Sequence, residues 1–334
     1  MDQRSVADLS EDELIASFVA LLPRGSSTVV PTGDDAAVVA APDGRFCVST
    51  DVLVEGRHFR TDWGSGADVG WRAAAQNIAD VAAMGAAPTS IVISLVLPPQ
   101  TPVAWVHDMC RGLSQICAPL GIGVDGGDLS AGEQIVVAVT VHGDLGGRMP
   151  VLRSGARAGD VVAHAGVLGP AAAGYALLES GRRGGSDEEL VAAFLRPVPA
   201  LEAGPLAADA GATAMMDVSD GLLRDAGRLA LASAVVLDLE RPETSVPDDV
   251  ARLADAAARM GEDPATWVLT GGEDHGMLAT FPQGTPLPEP FRRLGTVRAP
   301  GAWQVAGQAR PAGTVLIGGA VPEVASTGWD HFRR

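Results

Sequence analysis

The sequence predicts a protein of two domains, each mixing α-helices and β-strands, of the α/β or α+β class. Its 334 residues suffice for two ordinary domains, and a hydrophobic share of 47% can supply a core to each. Strand patterns alternate with helix patterns along both halves, and the alternation begins afresh after a Gly-rich segment near residue 150. We therefore expect domains at residues 1–150 and 151–334.

In the first half, the clearest element is a helix that follows Ser10. Ser10 and Glu13 have the spacing of a capping box, an apolar stripe follows, and Pro23 ends the pattern. A second helix is expected to end at Gly85, and a third to carry Pro102 in its first position. Apolar runs between them predict strands at "AAVVAA", "RFCVSTDVLV", "TSIVISLVL", "GIGVDGG" and "QIVVAVTVHG".

The second half repeats the mixture of strands and helices. "VVAHAGVLG" predicts a strand and a turn that lead into the helix "PAAAGYALLES". "ATAMMDVSDGLLRDAGRLALAS" predicts a strand, an acidic turn and a helix, and "ESGRRGGSDEE" an exposed loop. Both halves therefore mix strands and helices, which favours two domains of similar size.

The charge composition excludes several classes of function. A net charge of −17 argues against nucleic-acid binding and against binding to anionic membranes, both of which require clustered cations. All 24 residues of the Lys+Arg total are arginines, so a Schiff-base lysine and a phosphate-loop lysine are excluded. Any bound phosphate must be neutralised by Arg, by backbone N–H groups or by metal ions.

The cysteines and the N-terminal sequence indicate the compartment. Three cysteines without paired spacing do not suggest disulfides and fit a reducing environment. The N-terminal segment is acidic and has no apolar core of a signal peptide, and no apolar run is long enough to span a membrane. We expect a cytoplasmic protein.

Six aspartates share one local context, in that each lies beside Gly, Ser or Thr or at the edge of an apolar run. Singly, such an Asp is more often a helix cap or a turn residue. Together they suggest Mg²⁺, which binds carboxylate, hydroxyl, phosphate and water oxygens and can bridge acids that would otherwise repel each other. Ser49, Thr50 and Ser219 add small oxygen donors. The six are Asp35, Asp51, Asp80, Asp128, Asp217 and Asp220.

Two of these aspartates have neighbours that refine the prediction. In "PTGDDAAVV", side chains alternate along an extended segment, so only one of Asp34 and Asp35 can readily face a site. Asp80 falls within a helix pattern, three residues after Asn77, so the two share a face. The apolar residues around Asp80 favour a buried ligand over a surface acid.

The order of these segments resembles the thiamine-monophosphate kinase family, within the superfamily of aminoimidazole ribonucleotide synthetase. The resemblance covers nearly the whole chain, and "STDVLVEGRHF" and "DVSDGL" are its most specific parts. It runs through "GDDAAVV", "STDVLVEGRHF", "NIADVAAMGA", "GGDLS", "LRSGARAGD", "DVSDGL", "GGEDHGML" and "TGWDHF".

The resemblance implies an enzyme that phosphorylates thiamine monophosphate with ATP, giving thiamine diphosphate and ADP, the last step of thiamine diphosphate biosynthesis. It implies an α/β N-terminal domain with a mixed sheet that binds ATP and magnesium and forms a homodimer. It also implies an α+β C-terminal domain that closes over nucleotide and substrate. Asp34 is then the acid that faces the turn.

The resemblance also assigns roles to single residues. The matching magnesium ligands are Asp35, Ser49, Thr50, Asp51, Asp80, Asp128, Asp217 and Asp220. Of these, Asp35, Asp51, Asp80 and Asp217 are expected to be catalytic. The nucleotide contacts are Gly127, Asp128, Arg153 and Ser219. The substrate contacts are His58, Asp274 or Glu273, and Trp329.

The sequence departs from the family pattern at one position, and it leaves alternative functions open. His275 stands where the family usually has an aromatic residue, which affects the substrate pocket rather than the reaction. A sister synthetase of aminoimidazole ribonucleotide or selenophosphate could use the same metal frame, although selenophosphate synthesis is disfavoured because the chain has no Gly-rich N-terminal segment with a reactive Cys or Lys. A metal-loaded scaffold without catalysis is the alternative from another class.

Overall fold

The computed structural model describes residues 4–32, 36–182, 187–301, 304–305 and 308–329. The chain forms two compact units. The first comprises Met1–Val81 and Ala86–Gly147, and the second comprises Ala82–Gly85 and Arg148–Arg334. Within the described ranges, no helix is long and apolar enough to cross a membrane.

The described residues of the first unit form three α-helices and six strands. The helices are α1 (Glu11–Val19), α2 (Gly66–Ala83), whose last residues belong to the second unit, and α3 (Val103–Cys117). The strands are β1 (Thr28–Val30), β2 (Val38–Val39), β3 (Cys47–Val54), β4 (Ala87–Leu97), β5 (Gly123–Ala131) and β6 (Val136–Asp144).

The main sheet of this unit has the order β3-β6-β4-β5 and is mixed. β6 pairs antiparallel with β3 and β4, whereas β4 and β5 are parallel. Alternate residues such as Ile91 and Val139 are fully buried on one face. On the other face, Val48 is 57% exposed and Val52 is 44% exposed. One face of the sheet therefore belongs to the core of the unit, while the other is open.

The helix ends follow the sequence signals, with one difference. Ser10 caps α1, and its N–H donates to the Glu13 carboxylate at 2.8 Å, which confirms the capping box. Gly85 ends α2 with φ of 78°, a left-handed value that favours glycine. Pro102, expected in the first position of α3, is instead the N-cap with ψ of 133°, so this helix begins at Val103.

The second unit contains seven helices and eight strands in the described residues. The helices are α4 (Pro170–Glu179), α5 (Glu188–Leu195), α6 (Ala203–Asp209), α7 (Leu222–Ala232), α8 (Pro242–Ser245), α9 (Pro247–Met260) and α10 (Pro264–Thr270). The strands are β7 (Val161–Ala165), β8 (Ala214–Val218), β9 (Val236–Leu239), β10 (Gly276–Phe281), β11 (Arg292–Arg298), β12 (Gln304–Val305), β13 (Gln308–Ala309) and β14 (Val315–Ile317).

Six of these strands form one sheet with the order β14-β9-β11-β7-β10-β8. Only β14 and β9 pair in parallel; the other pairs are antiparallel. The core contains Val162 and Leu278 from the sheet together with Leu229, Leu253 and Val268 from helices. A largely antiparallel sheet with helices packed against it is an α+β arrangement.

Candidate active site

Helix α2 and strand β3 bring four polar residues of the first unit together. The Ser49 hydroxyl donates to the Asp80 carboxylate at 2.7 Å, and the Asp51 N–H donates to Asn77 Oδ1 at 3.0 Å. Ser49 and Asp51 are two residues apart on the strand, so their side chains lie on the same face. Asp51 is exposed and Asp80 is half-buried. This is a group of hard oxygen donors that solvent can reach.

Thr50 lies on the opposite face of β3 from Ser49 and Asp51. Its hydroxyl donates to the Val139 carbonyl at 2.9 Å and accepts a hydrogen bond from the Thr140 hydroxyl at 3.1 Å. The Thr50 side chain is therefore part of the pairing between β3 and β6, away from the Asp80 side of the sheet. Its role as a metal ligand stays a prediction.

Gly127 and Asp128 lie on β5, at the other edge of the sheet from Asp51. The strand predicted at "GIGVDGG" contains Gly127, and in the structure it continues through Asp128 to Ala131. The register aligns Asp51 with Val139, Ile93 and Gly127 in one row. Three strand spacings put the two ends of this row roughly 14 Å apart. One Mg²⁺, with ligands at about 2.1 Å, cannot contact both Asp51 and Asp128.

Gly127 is a glycine for a steric reason. A Cβ at this position would lie 2.0 Å from the Ile93 carbonyl oxygen. Asp128 is exposed and lies in the same row as Ser94, on the open face of the sheet. Asp128 thus lies at the opposite edge of the sheet from Asp51, and its side chain lies on the opposite face.

In the second unit, Asp217 lies near the end of β8, and Ser219 and Asp220 lie in the predicted turn between β8 and α7. The Asp220 carboxylate lies 2.7 Å from the Arg228 guanidinium and 3.8 Å from that of Arg224. Its N–H donates to the buried Asp225 carboxylate at 2.9 Å. Burial raises the pKa of Asp225 to about 6, against the lowering effect of that N–H. Asp220 is therefore held by three residues of the following helix, Arg224, Asp225 and Arg228.

The "GGEDHG" segment lies directly against this turn. The N–H groups of Glu273 and His275 donate to the Ser219 and Val218 carbonyls at 2.8 and 3.1 Å. Both donors have positive φ, 73° for Glu273 and 53° for His275, which costs about 1–3 kcal/mol each. At Gly272, a Cβ would lie 2.3 Å from the Ser219 carbonyl oxygen. The close approach of the two segments thus depends on glycine.

His275 lies between two acids. Its Nδ1 is 3.4 Å from the Asp217 carboxylate, and its Nε2 is 3.5 Å from that of Glu273. Burial alone would lower the pKa of His275, but Asp217 and Glu273 outweigh it and raise the pKa to about 10. The departure from the family pattern therefore places a cation beside Asp217.

Asp274 and Glu273 differ sharply in environment. The Asp274 carboxylate is buried and accepts the N–H groups of Gly169 and Ala171 at 2.6 and 2.9 Å, at the start of α4. Burial raises its pKa to about 7, while these two N–H groups lower it. The Glu273 side chain is 34% exposed. Asp274 thus serves the helix terminus, and Glu273 is the acid of the pair that solvent reaches.

The remaining predicted contacts lie in different settings. His58 Nδ1 accepts the Val54 N–H at 2.9 Å, so in the neutral ring the proton is on Nε2, which can donate to a ligand. The backbone N–H of Trp329 donates to the Asp220 carbonyl at 2.9 Å, beside the acidic turn, and the residue is 47% exposed. Arg153 is exposed. Asp35 and Asp34 lie outside the described residues.

The donors present fit magnesium that shares its ligands with phosphate and water. Among the described residues, no three His, Cys, Asp or Glu side chains form a group that could hold a metal ion by themselves. Mg²⁺ usually keeps several waters and is bound through one or two carboxylates plus substrate phosphates. Ser49, Asp51 and Asp80 match this requirement in the type of their donor atoms.

Comparison with known proteins defines the class first. Residues 33–145 match the family described as AIR synthase related protein, N-terminal domain, and residues 157–284 match the corresponding C-terminal domain. The fold is also that of the hydrogenase maturation protein HypE, with a TM-score of 0.72 at 18% identity over 92% of this chain and 93% of that one. The two-domain fold of this class is thus confirmed.

Relatives within the class are more specific. The thiamine-monophosphate kinase of Mycobacterium tuberculosis H37Rv is 44% identical over 88% of this chain and 86% of its own length. That of Corynebacterium glutamicum is 40% identical over 89% of this chain and 88% of its own. The solved structure of AaThiL complexed with AMPPCP and TMP has a TM-score of 0.76 and 31% identity, covering 90% of this chain and 91% of that one. The chain belongs to the thiamine-monophosphate kinase family, which confirms the predicted family and enzyme class.

Proposed function

We propose that this chain transfers the γ-phosphoryl group of ATP directly to the phosphate of thiamine monophosphate, assisted by several Mg²⁺ ions, giving thiamine diphosphate and ADP. Family membership supports the reaction, and a relative of 31% identity has been solved with AMPPCP and TMP. The observation that carries the magnesium part is the group formed by Ser49, Asp51 and Asp80, which offers only hard oxygens. Lysine is absent from the chain, so cations on these acids would balance the phosphates.

The acceptor makes a general base unnecessary. A phosphate monoester has a second pKa of about 6 and is already largely dianionic at neutral pH. The residues then have to align two polyanions and reduce their repulsion. Mg²⁺, when bound, would neutralise charge on the phosphates. Proposed magnesium ligands within the first unit include Asp51 and Asp80, and those within the second unit, taken separately, are Asp217 and Asp220.

More than one ion is proposed because Asp51 and Asp128 lie at opposite edges of one sheet. The proposed nucleotide contacts are Gly127, Asp128, Arg153 and Ser219. We also propose that Asp35 joins the metal ligands.

The proposed contacts for thiamine monophosphate are His58, as an Nε2–H donor, Glu273 and Trp329. An exposed indole face attracts a cationic thiazolium ring, because the quadrupole of the indole favours cations.

We also propose that two copies of the chain form a homodimer through the open face of the first sheet.

A coupled assay of ADP formation tests this proposal. ADP should form with ATP, Mg²⁺ and thiamine monophosphate together, and not when thiamine monophosphate is omitted or replaced by formylglycinamidine ribonucleotide. Asp51→Asn should reduce turnover by at least about 100-fold, since it removes a carboxylate from the reacting charges, without changing the circular dichroism spectrum. Near-normal turnover in Asp51→Asn would contradict the ligand role. ADP formation without any acceptor would contradict the reaction.

A further inference from the structure

A buried amide on α2 holds the backbone of Asp51. Asn77 is 1% exposed, and its Oδ1 accepts the Asp51 N–H at 3.0 Å. Its Nδ2 donates to the Ala73 carbonyl, one turn earlier in the same helix, at 2.8 Å. Both polar groups of the amide are thus bonded, and the bond to Ala73 orients the amide toward the strand.

The bond compensates for the position of β3 at the edge of its sheet. In the described part of the chain, β3 pairs with β6 alone, so its outer N–H groups have no strand partner. Asn77 provides an acceptor for one of them, at the residue whose carboxylate the proposed function uses. The Ser49–Asp80 bond makes a second link between the same strand and helix. Two links fix the position of β3 along α2.

The sequence around Asn77 indicates that the amide is not simply filling space. Its neighbours Ala74, Ile78 and Val81 are at most 1% exposed. A buried amide there costs free energy unless it is hydrogen-bonded, and Ala would be the better helix former. Carboxylates that share a cation site repel each other when the cation is absent, so a fixed backbone would limit how far Asp51 and Asp80 could separate.

We propose that Asn77 is a positioning residue, whose bond to the Asp51 N–H keeps the Asp51 carboxylate beside Asp80 in the geometry that binds a divalent cation. This inference rests on the proposed function, because the cation is part of that function. Asn77 itself contacts neither nucleotide nor substrate in this role. Removal of the Asn77 side chain should therefore weaken cation binding, because the Asp51 backbone is no longer held.

The test is Mn²⁺ binding, measured by electron paramagnetic resonance with a non-hydrolysable ATP analogue and thiamine monophosphate present. Asn77→Ala should weaken Mn²⁺ binding by about 10-fold or more, as loss of an outer-shell partner does. Val106→Ala is the matched control, since Val106 is fully buried in α3 of the same unit. It should lower the melting temperature without metal, as Asn77→Ala does, but leave Mn²⁺ affinity unchanged.

Asn77→Asp keeps the inference falsifiable if Asn77→Ala does not fold. The carboxylate still accepts the Asp51 N–H but cannot donate to the Ala73 carbonyl, so Mn²⁺ affinity should fall less than in Asn77→Ala. Wild-type affinity in Asn77→Ala, or an equally large loss in Asn77→Asp, would overturn the positioning role. Absence of Mn²⁺ binding by the wild-type protein would instead overturn the metal part of the proposed function.

Discussion

At the scale of single residues, the neighbouring acids Glu273 and Asp274 differ in environment, because the Asp274 carboxylate is bonded within the protein and the Glu273 carboxylate reaches solvent. The Asp274 carboxylate accepts two N–H groups at the start of α4, and the Glu273 carboxylate reaches solvent beside His275. Sequence alone favoured Asp274 as the substrate contact, with Glu273 as the alternative. Because the two oxygens of Asp274 are already bonded inside the protein, we favour Glu273.

Substituting each acid separately distinguishes these roles. Asp274→Asn should lower the free energy of unfolding by about 1–3 kcal/mol, because its amide offers only one acceptor to two buried N–H groups, and should leave the KM for thiamine monophosphate nearly unchanged. By contrast, Glu273→Gln should raise the KM for thiamine monophosphate and leave the free energy of unfolding nearly unchanged. Chemical denaturation and steady-state kinetics measure the two effects. A raised KM in Asp274→Asn alone would contradict this assignment.

At the scale of elements, β7 places a histidine where it cannot ionise. His164 is fully buried, and neither ring nitrogen has a hydrogen-bond partner within the described residues. Burial, with a smaller contribution from the nearby Arg292, lowers its pKa from 6.5 to about 3. The ring therefore stays neutral in the folded protein and becomes protonated only on unfolding.

His164 should make the protein less stable in mild acid. Below pH 6.5 the unfolded chain binds a proton that the folded chain does not, so stability falls as the pH falls, by about 1.4 kcal/mol per unit for one group. Between pH 6.5 and 5 the wild-type protein should lose about 2 kcal/mol more than His164→Leu. Denaturation of both proteins at several pH values measures this difference. Parallel pH profiles would show that His164 does ionise in the fold.

Most elements of the candidate site were predictable from short patterns. The strand, acidic turn and helix of "MMDVSDGLLRDAG" are present as β8, a turn and α7, since apolar periodicity and a Gly at the turn depend only on local sequence. The extent of β5 was not predictable, because pairing with β4 continues the strand beyond the predicted "GIGVDGG" through "DLSA". Asn77 was placed on the Asp80 face, but its bond to the Asp51 backbone joins residues 26 positions apart.

At the scale of the whole molecule, the open sheet face of the first unit is the feature that a second copy of the chain would cover. Phe46, Val48 and Val52 are 57%, 57% and 44% exposed, although all three are large hydrophobic residues. Large hydrophobic residues exposed together on one sheet face are typical of interaction sites. It agrees with the homodimer that the family resemblance implies and that we propose.

A charge on this face should prevent the dimer. Val48→Arg would bury an unpaired guanidinium if the face were covered, so light scattering should give the monomer mass of 34.1 kDa, against about twice that value for the wild-type protein. Val198→Arg is the control, because Val198 is 75% exposed and belongs to the second unit. It should leave the mass unchanged. Equal masses for the two variants would exclude this face as the interface.

The sequence by itself determined the class of the fold, the family and the set of oxygen donors, because these depend on local periodicity, residue type and motif order. Tertiary structure alone decided how the donors are used. It joined Ser49 to Asp80, turned Thr50 to the opposite face, separated Asp128 from Asp51 by the width of a sheet, and assigned Asp274 to a helix terminus. The physical reason is that strand register and helix packing determine which residues far apart in the sequence come into contact. A short sequence pattern carries no information about the distance between such residues.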